Sequence, residues 1–84
     1  MLDLATEKTE LAKANRDITE GEDRIAHQAE LVERLRAAGQ DVAAAEKLLT
    51  TLQQTLSAWK DHRDLILMAI ARLEQERSRS DKHH

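Results

Sequence analysis

Apolar residues recur along this chain with the period of a helix. Leu4, Leu11, Ile18, Ile25 and Val32 stand seven residues apart, and the positions three further on hold Glu7, Ala14, Gly21, Gln28 and Leu35. Positions spaced alternately by three and four share one face of an α-helix, so the two rows form a single stripe, large side chains in one and mostly small or polar ones in the other. The stripe predicts one long helix over 2–38. The second half repeats the pattern. Val42, Leu49, Leu56 and Ile70 form a heptad row interrupted by Arg63, and Ala45, Leu52, Trp59, Ile66 and Leu73 lie three residues on, which predicts a second helix over 42–76.

Between the two lies Gly39-Gln40-Asp41. Gly39 can take the left-handed conformation that closes a helix, and Asp41 can cap the start of the next one. So short a connection forces neighbouring helices to run antiparallel. The 84 residues are therefore expected to form one all-α domain, an antiparallel two-helix hairpin of the coiled-coil type, with its turn over 39–41 and a frayed basic tail over 77–84. In the register that the turn imposes, Leu35 faces Ala45, Gln28 faces Leu52, Gly21 faces Trp59, Ala14 faces Ile66 and Glu7 faces Leu73. Glycine inside a helix costs about 1 kcal/mol relative to alanine. Opposite it stands the only aromatic residue of the chain, so Gly21 is expected to make room for the Trp59 indole. The alternative is that Thr19-Glu20-Gly21-Glu22 breaks the chain into three helices.

Composition narrows the function classes. With no cysteine, the chain has no disulfide scaffold, thiolate metal site or thiol nucleophile. Thirteen Lys and Arg against sixteen Asp and Glu leave no basic excess to neutralise phosphates, so no nucleic-acid partner is expected. The longest apolar run, Leu65 to Ala71, falls far short of the roughly 20 residues of a membrane span. Asp3, Glu7 and Glu10 stand where an export signal would be basic and apolar, and the expected location is cytoplasmic.

A lone hairpin buries one seam and wets the rest of both helices. Leu65-Ile66-Leu67-Met68-Ala69-Ile70 is nevertheless apolar on every side of its helix, and Leu11, Ala12 and Ala14, with Met1 and Leu2 nearby, add to the same end. Leu31 and Leu48 also fall outside the seam, near the turn. Leu11, Leu65, Ile66, Leu67, Met68 and Ile70 are the expected association surface. The first expectation for its occupant is a second copy, giving a homodimeric four-helix bundle of twofold symmetry. The others are an amphipathic helix of a partner protein, or a mere widening of the internal seam.

Candidate chemistry is sparse. His62-Arg63-Asp64-Leu65 matches the start of the catalytic loop of protein kinases, but Ala69 stands where that loop needs its metal-holding Asn. Asp23 and His27 share a helical face at a spacing that can chelate a metal, and a symmetric dimer would double the set, so the alternative is a metal- or ligand-binding protein with its site between subunits; two ligands make a weak site, and His62 lies at another level of the hairpin. Glu20, Glu22 and Asp23 cluster like paired carboxylates without an irregular segment to enclose them. Arg77, Arg79 and Lys82 are too few for a membrane-surface patch, and His83 and His84 end the chain as a native tail or a tag remnant. No cofactor and no enzymatic activity are expected.

Glu20-Gly21-Glu22, then Ile25, Gln28, Leu31-Val32, Leu35, Gly39, Asp41, Ala45, Leu48-Leu49, Leu52 and His62-Arg63-Asp64 together resemble a group of short helical proteins common in rhizobia and related alphaproteobacteria. The likeness covers about residues 15–66. It implies a bacterial helical hairpin and, since no activity is established for that group, supplies no catalytic residue. Arg24 and His27 stand where many members have His and Arg, and Trp59 where they often have His, which further weakens any shared metal site.

Overall fold

The computed structural model describes residues 3–82, with side chains through Arg79. It contains two helices, α1 over Leu4–Ala37 and α2 over Ala43–Lys82, packed antiparallel into a rod of 71 × 17 × 15 Å. Met1, Leu2 and the terminal histidines of the sequence reading lie outside the described residues.

Each helix boundary has a local cause. Asp3 caps α1: its carboxylate accepts the Thr6 N–H at 2.8 Å and the Thr6 hydroxyl at 2.9 Å, and these bonds hold its pKa below the ordinary aspartate value. At the other end the Gly39 N–H reaches the Arg36 carbonyl at 3.1 Å and the Gln40 N–H reaches the Leu35 carbonyl at 2.9 Å, the paired bonds of a Schellman motif. That motif needs a left-handed residue, and Gly39 supplies it at φ 70°. The Asp41 carboxylate then accepts the Ala43 N–H at 2.9 Å and starts α2.

α1 is unbroken through Gly21, so the described residues form two helices rather than three. The end of α2 differs from the expected stop at Glu76. The helix continues to Lys82 through Arg77-Ser78-Arg79-Ser80, because no Pro or Gly interrupts it and basic side chains favour the negative end of the helix dipole. The helix thus extends six residues past the expected stop.

The core is a single thin seam. Ile18 and Val32 of α1 meet the seam face of α2, where Ile66 and Ile70 are buried, and Glu7 and Gly21 are buried in the same stripe. Gly21 lies against Leu56 and Trp59. A Cβ added there would sit 3.3 Å from Leu56 Cδ1 and 3.4 Å from the nearest indole carbon, so the missing side chain lets the ring lie close to the α1 backbone.

Three ion pairs run along one edge of the seam: Lys8–Glu74 at 3.8 Å, Glu22–Lys60 at 3.9 Å and Arg36–Glu46 at 2.6 Å. Lys8, Glu22 and Arg36 are spaced two heptads apart and alternate in sign, and so do their partners. Exposed pairs of this kind stabilise little, about 0–1 kcal/mol each, but any slip in register by two heptads sets like charges together. Gln28, a polar residue in the seam, donates from Nε2 to the Ala45 carbonyl at 3.0 Å, seven residues nearer the start of α2 than the Leu52 it was expected to face. A long amide can reach that carbonyl where a direct neighbour offers only methyl groups.

Two outcomes follow. Gly21→Val, which forks at the crowded Cβ, should lower stability by about 2 kcal/mol and shift the Trp59 emission, while Gly21→Ala stays within about 1 kcal/mol because helix propensity offsets the tight contact; thermal unfolding with tryptophan fluorescence reads both. Gly39→Ala, with open space around its Cβ, should lose only the left-handed backbone penalty of about 1 kcal/mol and keep the helix content seen by circular dichroism.

Candidate functional site

The residues with chemical potential are scattered along a smooth rod. Asp23 and His27 are both exposed on α1, and among the described residues no group of three or more His, Asp or Glu side chains is placed to hold a metal ion. Glu20, Glu22 and Asp23 are exposed as well, and Glu22 is engaged by Lys60 across the seam edge. The concavities of the surface are shallow and open. One is floored by Leu31, Leu48 and Leu52 and rimmed by Arg24, His27 and Arg34; another lies over Ala71, Glu74, Gln75, Ser78 and Arg79. Neither excludes water, which electrostatic catalysis would require.

The His62-Arg63-Asp64 triplet lies in the middle of α2, with its members dispersed around the helix. His62 and Asp64 point to solvent, while Arg63 occupies a seam position. Its guanidinium reaches Asn15 Oδ1 at a long 3.4 Å, and its buried Nε has no hydrogen-bond partner. Arg63 is thus an intrusion of charge into an apolar stripe, where an unsatisfied polar atom costs about 1–3 kcal/mol.

What α2 does present is apolar surface. Leu65 is 63% exposed, Met68 61%, Leu48 49% and Leu67 44%, and Leu31 on α1 adds a further exposed leucine beside Leu48. The expected association surface is corrected in two members: Ile66 and Ile70 are buried within the hairpin, since they carry the seam rows of α2, and are not free for a partner. Leu11 is half-buried at its own seam position. Leu65, Leu67 and Met68 remain as the exposed part. Leu48 was legible in the sequence as an apolar residue outside the seam.

Among the described residues, no helix is long and apolar enough to cross a membrane. Comparison with protein-family models, with curated proteins and with solved structures finds no match for this chain.

Arg63→Leu should raise stability by about 1 kcal/mol, as apolar replacement of a poorly paired, half-buried charge commonly does, and move the urea midpoint upward. A lower midpoint would mean that the guanidinium is better satisfied than its contacts indicate.

Proposed function

We propose that this chain is a non-enzymatic structural or protein-interaction module, a cytoplasmic homodimer built by twofold association of two hairpins into a four-helix bundle. One observation carries the reading: Leu65 and Met68, side by side on α2, are 63% and 61% exposed, while among the described residues only four apolar side chains are buried. Monomeric soluble proteins rarely leave large contiguous apolar surface to water. A second copy would give those side chains the burial that a single seam withholds, and small cores of this size gain most from such assembly.

Sedimentation equilibrium over roughly a hundredfold concentration range is expected to give twice the chain mass, since dimer constants commonly fall within reach of such a range. The triple variant Leu65→Glu, Leu67→Glu, Met68→Glu keeps the seam intact and should sediment as a helical monomer. A wild-type chain that is monomeric throughout would overturn the proposal.

A further inference from the structure

We infer that the second copy docks antiparallel along α2 itself, on a second heptad stripe that the hairpin leaves open. This rests on the self-association proposed above and specifies its geometry. Leu48, Thr51, Thr55, Ala58, His62 and Leu65 follow one another at alternating three- and four-residue intervals, and Ala44 and Ala69 extend the row at either end. Each of these residues immediately precedes a seam residue of α2. The row is therefore a copy of the seam turned by about 100° around the helix, the angle of one residue.

The contrast with α1 shows that this is not an ordinary solvated face. At the equivalent positions of α1, one before each seam residue, stand Thr6, Glu10, Lys13, Asp17, Glu20, Arg24, His27, Leu31 and Arg34, six of the nine charged. On α2 the eight positions from Ala44 to Ala69 carry no Asp, Glu, Lys or Arg. All are exposed except the partly covered Ala69, and Leu48 and Leu65 are 49% and 63% exposed. Thr51 has already satisfied its hydroxyl, which donates to the Lys47 carbonyl at 3.1 Å, so burying it leaves that donor paired.

The occupant follows from the order of the row, which reads nearly the same in both directions. A twofold axis between Thr55 and Ala58 sets Leu48 against the partner's Leu65 and Thr51 against the partner's His62. It sets Thr55 against the partner's Ala58 and Ala44 against the partner's Ala69. One step further out, Asp41 meets the partner's Arg72, so opposite charges close both ends of a contact about 45 Å long. A parallel copy would instead set Asp41 against Asp41 and Arg72 against Arg72. The stripe is thus complementary to itself in one orientation, as an isologous interface requires. Met68 flanks it, whereas Leu67 lies in the heptad row of Lys60 and Glu74, on the ion-paired edge at the opposite side of the seam.

Sedimentation equilibrium of the full chain and four variants tests the pairing, with circular dichroism to establish that each is helical. Leu48→Glu should raise the dimer Kd at least about tenfold although it lies 17 residues from Leu65, and Ala58→Glu at the centre of the stripe should do the same. Leu67→Glu should leave Kd within about threefold of the parent. The double variant Leu48→Glu, Leu65→Lys should recover association to within about fivefold, because the introduced opposite charges meet across the twofold axis only if the copies run antiparallel. A dimer that survives Leu48→Glu and Ala58→Glu but is lost in the Leu65, Leu67, Met68 triple variant would overturn this pairing and leave self-association standing. Loss on Leu48→Glu without recovery in the double variant would overturn the antiparallel register, and a monomeric parent would overturn both proposals.

Discussion

The single seam between α1 and α2 is the constraint on which every other feature of this molecule depends. Two helices share one interface, so each residue on that interface is scarce and everything off it is wet. Among the described residues, only Ile18, Val32, Ile66 and Ile70 are buried apolar side chains, strung along a rod of 71 Å. Stability of this kind is spread thinly along a line, and no central cluster exists to absorb a local defect. The close packing of Gly21 on Trp59 and Leu56 matters for that reason: it lets the largest side chain of the chain approach the α1 backbone.

A thin seam also has a weak sense of register, because one heptad of leucine and isoleucine resembles the next. The polar exceptions supply what the apolar residues cannot. Gln28 finds its acceptor on the Ala45 carbonyl, and the three edge pairs alternate in sign so that a two-heptad slip brings like charges together. Arg63 is the costly exception, half-buried with Nε unpaired and only a long contact to Asn15. The turn adds its own specification. The Schellman bonds around Gly39 and the capping bond of Asp41 set the two helices in phase within a few residues of the reversal.

This two-helix rod has shallow, open grooves over Leu31, Leu48 and Leu52 and over Ala71, Glu74 and Ser78. Its informative surface is the asymmetry between its helices. α1 presents charge on its outer faces, while α2 presents a row free of charge from Ala44 to Ala69, with Leu48 and Leu65 the most prominent members. A helix with apolar residues at both the seam and the positions preceding it is suited to two neighbours at once, and the hairpin supplies only one.

The heptad rows, the glycine and aspartate of the turn, and the opposition of Gly21 to Trp59 were all legible in the sequence, because each depends on intervals of a few residues and on a reversal short enough to leave one orientation. The far end of α2 and the division of the run Leu65 to Ile70 were not. Six successive apolar residues surround a helix, and it is the position of α1 alone that takes Ile66 and Ile70 inward and leaves Leu65, Leu67 and Met68 to solvent. Choosing Glu22 for Lys60 among several nearby acids, and Ala45 for Gln28, likewise required the second helix to be in place. Local periodicity determines which residues share a face; only packing across the seam decides which face is spent and which remains free.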